Sequence, residues 1–118
     1  MFQAILVFFL LANNLEGQPH EHQGEIMENK RLKVACVQMV SGIDFQENLE
    51  VAARLIAQAK DRDAQLIVLP EFFALMGKNE KDKLAYIEPH GTGPFQDFLH
   101  QQAKQNKLWI VGGTHAID

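Results

Sequence analysis

Cysteine is almost missing from this chain: Cys36 is the only one in 118 residues. One thiol excludes an intramolecular disulfide and a zinc site built on cysteines, and a reduced, cytosolic setting is expected. Positive charge is not in excess either. Lys and Arg number 11 against 15 Asp and Glu, a formal net charge of -4. Such a balance gives no electrostatic reason to expect nucleic acid or an anionic membrane as partner. Also absent is an apolar run of the roughly 20 residues that a membrane-spanning helix needs. Ala4-Ile5-Leu6-Val7-Phe8-Phe9-Leu10-Leu11-Ala12 stops well short of it.

That apolar run resembles the middle of a secretory signal, but the two flanks of one are missing. No Lys or Arg precedes it, and Asn13-Asn14-Leu15-Glu16 follows in place of a small-residue cleavage site. Residues 1–26 therefore read as an upstream extension of the reading frame in preference to a short targeting segment. Met27 opens Met27-Glu28-Asn29-Lys30-Arg31, a natural start just before the first strand. Initiation there makes the protein cytoplasmic; a genuine signal in residues 1–26 would make it secreted.

What remains is ordinary for one small globular domain, with 47% hydrophobic and 22% charged residues arguing against disorder. Lys33-Val34-Ala35-Cys36-Val37-Gln38-Met39 predicts a strand. Asp44 with Glu47 three residues on marks a helix start, and Phe45, Leu49, Ala52, Ala53, Ile56 and Ala59 recur at helical spacing. Gln65-Leu66-Ile67-Val68-Leu69 predicts a second strand, whose unbroken apolar run implies that both faces are covered. Residues 74–89 predict a loop with a short helical piece. Pro94 sits where it can open another helix, with Phe95, Phe98, Leu99 and Ala103 as its buried stripe and Asn106 near its end. Leu108-Trp109-Ile110-Val111 gives a third strand, closed by Gly112-Gly113. The order is βαβαβ, an α/β sheet of at most three strands with a long exposed edge. That edge suggests the N-terminal part of a larger domain, residues 27–118, with residues 1–26 outside it.

Glu71 is the most telling residue. The apolar strand ends at Pro70 and delivers the chain directly to a carboxylate, followed by Phe72 and Phe73. Ligands of open α/β sheets bind at the carboxyl ends of the strands. A carboxylate walled by aromatic rings is a better proton acceptor than a solvated one. Glu71 is therefore expected to act as a general base. The competing reading, a solvated loop glutamate, rests on exposure statistics alone.

Other constellations carry less. Cys36 could be a nucleophile with His90, His100 or His115 as base, yet in mid-strand between Ala35 and Val37 a small thiol simply packs. Gly91-Thr92-Gly93-Pro94 lacks the third glycine of a dinucleotide loop and follows no predicted strand, so it reads as a helix-capping turn. A nucleotide-binding domain built on that loop stays as an alternative. His20 and His22 lie in a polar, aperiodic tail, and no metal site is expected of them. Lys78, Lys81 and Lys83 read as a solvated face, of which one could meet an anionic substrate.

In this order and spacing the segments resemble the N-terminal portion of the carbon–nitrogen hydrolase (nitrilase) superfamily. Those carrying the resemblance are Lys33 to Met39, Asn48-Leu49-Glu50, Leu66 to Glu71, Gly91 to Phe95 and Leu108 to Thr114. It covers residues 33–117. It implies a four-layer αββα sandwich and hydrolysis of non-peptide C–N bonds through a glutamate, a lysine and a cysteine, without metal or organic cofactor. The implied base is Glu71, while the implied lysine and nucleophilic cysteine lie beyond Asp118, so Cys36 is not the nucleophile. Phe73-Ala74-Leu75-Met76-Gly77 is most similar to Nit-type amidases acting on ω-amides or deaminated glutathione. The resemblance thus implies a small-molecule amide as substrate, a homo-oligomer at full length and no activity from this stretch alone. The alternative is a non-catalytic truncated module that joins full-length subunits through its sheet edge.

Overall fold

A computed structural model of the chain describes residues 6–12 and 31–118. Seven elements follow in order: β1 (Leu6–Ala12), β2 (Leu32–Gln38), α1 (Phe45–Lys60), β3 (Leu66–Val68), α2 (Glu80–Leu84), α3 (Pro94–Asn106) and β4 (Trp109–Val111). The sheet order is β1-β2-β3-β4. β2, β3 and β4 run parallel, as the βαβαβ order predicts, with Ala35 opposite Ile67 and Ile67 opposite Ile110.

The strand count differs from expectation. A fourth strand, β1, pairs antiparallel along the whole of β2, from Leu6 opposite Gln38 to Ala12 opposite Leu32. An apolar run unsuited to crossing a membrane is well suited to a strand, and pairing satisfies an edge that three strands leave open. The rest of residues 1–26, His20 and His22 among them, and Met27 lie outside the described residues.

α1 begins where the sequence predicts. The Asp44 side chain accepts the Glu47 N–H at 2.9 Å, satisfying one of the helix's free amides. Its buried face comprises Leu49, Val51, Ala52, Leu55, Ile56 and Ala59, and it includes the polar Asn48. Leu55 is wholly buried although it lies outside the predicted stripe, and the predicted Ala53 is only half-buried. α3 ends at Asn106 as predicted, and Lys107 adopts the left-handed conformation beyond it. Phe95 is its one buried residue; Phe98, Leu99 and Ala103 are half-buried.

Both long helices cover one face of the sheet, where Ala35, Val37, Ile67 and Leu69 join the α1 side chains and Phe95 in a single core. Among the described residues the other face is open. Because side chains alternate along a strand, two registered rows point away from the helices: Val34-Leu66-Trp109 and Cys36-Val68-Val111. All six are uncharged and largely apolar, yet Val34, Cys36, Leu66 and Val68 are only half-buried and Trp109 is 78% exposed. The expectation that both faces of β3 are covered therefore fails among the described residues. An apolar run gives strand burial but not which layer supplies it.

Asn48 ties this framework to the loops above the sheet. Its carboxamide donates to the Gly42 and Ala74 carbonyls at 3.1 and 2.9 Å and accepts the Gly42 N–H at 2.9 Å. Replacing it by Leu strands these backbone groups, the Ala74 carbonyl in a buried site and the Gly42 pair in a partly buried one. The Asn48→Leu chain is expected to lose about 2–4 kcal/mol of stability in urea unfolding. A change below about 0.5 kcal/mol would show that the loops do not depend on it.

Candidate functional site

After β3 the chain turns sharply. The Phe73 N–H bonds to the Pro70 carbonyl at 3.2 Å, so Glu71 and Phe72 form the two central residues of a tight turn. Phe72 adopts φ 53, a left-handed conformation that bulky residues avoid. Such strain persists only where the surroundings hold it, and it concentrates at functional sites. Here the clamps are visible. Leu69 N–H reaches the Val111 carbonyl at 2.9 Å, and Phe73 is fully buried with its carbonyl accepting Ser41 Oγ at 2.8 Å.

Gly113 closes the turn from the β4 side. At φ 69 its Cα lies so close that an added Cβ would come within 2.5 Å of the Pro70 oxygen and 3.2 Å of the Glu71 Cα. Glycine is required there for both conformation and clearance. Gly113→Ala is expected to cost about 1–3 kcal/mol. It should also move the backbone amide NMR signals of Glu71 and Phe72 more than those of α1; an undisturbed turn would refute the contact.

The environment of Glu71 departs from the sequence-based picture. Glu71 is exposed, and its carboxylate meets no cation at ion-pair distance among the described residues. The two phenylalanines do not wall it in. Successive residues in the turn diverge, so Phe73 goes into the core against Phe95 and Phe98, with ring centroids 5.3 and 6.1 Å away. Phe72 stays at the surface, half-buried, beneath Lys83, whose Nζ lies 3.5 Å from the ring centre.

The other candidates separate clearly. Cys36 is a half-buried free thiol in mid-β2, and His90 and His100 are exposed. His115 is engaged elsewhere: it stacks on Phe95 at 4.0 Å, and its Nε2 is 3.7 Å from Glu88 Oε1. Sequence inspection overlooked Glu88. It is 4% exposed, and its carboxylate accepts the Phe95 N–H at 2.5 Å and the Gln96 N–H at 3.1 Å. It thus occupies the amino end of α3, where a phosphate would have to bind, because the N-cap Gly93 offers no side chain. That removes the Gly91 loop as a nucleotide site. A lone acid between Ile87 and Pro89 was the available signal. No group of three or more potential metal ligands occurs among the described residues, and no helix there is long and apolar enough to cross a membrane.

A family model, described as carbon–nitrogen hydrolase, matches residues 33–116. The chain belongs to the carbon–nitrogen hydrolase family. The match spans β2 through the loop after β4 and so includes Glu71 and Gly113. The deaminated glutathione amidase of Synechocystis is 37% identical over 79 residues, 67% of this chain and 28% of that protein. The human deaminated glutathione amidase is 32% identical over 83 residues, 70% of this chain and 25% of that protein. The nitrilase and fragile histidine triad fusion protein NitFhit of Caenorhabditis elegans is 25% identical over 93 residues, 78% of this chain and 21% of that protein. The carbon–nitrogen hydrolase chain thus spans about a quarter of the length of these relatives. Its three parallel strands with helices on one face are consistent with the N-terminal part of the family fold.

Proposed function

We propose that this chain is the N-terminal portion, residues 27–118, of a cytoplasmic amidase that cleaves the C–N bond of a small ω-amide, deaminated glutathione included. Glu71 is its general base. One observation carries the proposal: Glu71 stands in a strained, clamped turn at the carboxyl edge of a parallel strand, inside the matched region. The relatives' names supply the amide substrate class.

In the proposed reaction Glu71 takes the proton from a thiol contributed by a later part of the complete enzyme. The thiolate attacks the amide carbon, ammonia leaves with the proton from Glu71, and water, deprotonated by the same carboxylate, hydrolyses the thioester. A lysine from that later part steadies the oxyanion. No metal or organic cofactor takes part. The open face of Val34, Leu66, Trp109, Cys36, Val68 and Val111 is proposed to pack on a second sheet, completing a four-layer sandwich in a homo-oligomeric enzyme. Covering that face and the nearby turn would place Glu71 in the apolar surroundings its role requires.

By itself the 118-residue chain is expected to release no ammonia from small ω-amides, since its one thiol sits in mid-β2. Measurable turnover abolished by Glu71→Gln or Cys36→Ala overturns this. The base role is tested in a chimera, with residues 33–116 replacing the matched segment of the Synechocystis amidase. The chimera is expected to hydrolyse deaminated glutathione. The exposed apolar face also supports a second reading, a non-catalytic module that binds full-length subunits. Co-purification with a longer homologue, together with an inactive chimera, would favour it.

A further inference from the structure

With Glu71 exposed and no cation at ion-pair distance among the described residues, the direction of its carboxylate depends on the backbone of its turn. That turn is held from two sides, by Phe73 in the core and by Gly113 in the loop after β4. Glu88 lies where the two supports meet. Its buried carboxylate accepts the Phe95 and Gln96 N–H groups at the start of α3, and the Gln96 carboxamide at 3.1 Å. Its own N–H donates to the Ala116 carbonyl at 3.2 Å, and its carbonyl accepts the Asp118 N–H at 2.9 Å. One residue thus ties the loop before α3, the first turn of α3 and the tail after β4.

A capping role alone does not account for this arrangement. An Asp or Ser at the N-cap would accept the same N–H groups without taking a charge out of water. Here the N-cap is Gly93, with φ 130, and the Glu88 carboxyl fills the space a side chain there would need. A buried acid brought from an upstream loop adds what a local cap lacks, a link between α3 and the tail. His115 completes that link. Its ring stacks on Phe95 with centroids 4.0 Å apart, and its Nε2 sits 3.7 Å from Glu88 Oε1. Gly113, whose Cα packs on the Glu71 turn, lies just before it in the same tail.

We propose that Glu88 is a positioning residue for the general base: by clamping Phe95 and the tail together, it keeps Phe73 and Gly113 seated on either side of the Glu71 turn. The proposal rests on Glu71 being that base. With the clamp released, the left-handed Phe72 relaxes and the carboxylate swings from its working direction.

Hydrogen exchange followed by NMR in the full 118-residue chain tests the link. Glu88→Gln keeps the size of the side chain but turns an amide towards N–H donors. The Phe73 N–H, which closes the turn, is expected to exchange at least about 10-fold faster than in Ala103→Gly, which weakens α3 away from Glu88. Equal exchange in the two variants overturns the proposal. Should Glu88→Gln not fold, His115→Leu loosens the tail while leaving the α3 amides capped. The same acceleration is expected of it, and its absence overturns the proposal equally. In the chimera Glu88→Gln should lower kcat about 10-fold and leave KM within about threefold, because a misplaced base costs transition-state binding alone. An unchanged kcat removes the positioning role. Failure of the base role appears elsewhere, as an active Glu71→Gln chimera, and leaves exchange at Phe73 to decide the link by itself.

Discussion

Glu71→Gln in the chimera should lower kcat for deaminated glutathione about 10²–10⁴-fold, the loss expected on removing a general base. That corresponds to about 3–5 kcal/mol of transition-state stabilisation. Gln keeps the size and hydrogen-bonding reach of the side chain and loses the proton acceptor. KM should therefore change little, which is the pattern of an interaction made only in the transition state. Glu71 is exposed and meets no cation at ion-pair distance among the described residues, so the substitution should leave unfolding unaltered. A kcat within about threefold of the unsubstituted chimera would remove Glu71 from the mechanism. Glu71→Asp keeps the charge and withdraws it by one methylene; partial activity there would separate basicity from placement.

The second large effect is structural. Phe73→Ala should destabilise the chain by about 3–5 kcal/mol in urea or thermal unfolding, the usual cost of removing a buried ring. Phe73 is fully buried and packs at a tilt against both Phe95 and Phe98, so it pins the Glu71 turn to α3. Few neighbours can collapse into the space, because the Phe73 backbone is fixed by the Pro70 and Ser41 bonds. Phe98→Ala, at a half-buried site on the same cluster, should cost clearly less. Equal losses at the two positions would mean that Phe73 is not the anchor of the turn.

Much of the frame was legible in order. Local patterns marked β2, α1, β3, α3 and β4 because hydrophobic period, the Asp44 cap and Pro94 act over a few residues. The same patterns placed Glu71 at the carboxyl edge of a parallel strand. The misses are long-range. In the sequence Asn48 counted only as part of a segment carrying the resemblance, and the Gly42 and Ala74 groups beside it explain its burial. Glu88 caps a helix that begins six residues later, across a turn that no local motif describes. β1 emerged from a run whose role depends on whether an unpaired edge is available to it.

The sequence by itself determined the α/β strand order, the carbon–nitrogen hydrolase resemblance and the choice of Glu71, since each depends on residue type and spacing along the chain. Only the tertiary structure decided where neighbouring side chains go. It sent Phe73 inward and left Phe72 out beneath Lys83, so the two rings do not form the expected wall around the carboxylate. It also left one face of the sheet uncovered among the described residues. The physical reason is common to both: a side chain's surroundings depend on which elements fold over it, and those contacts join residues that are distant in sequence.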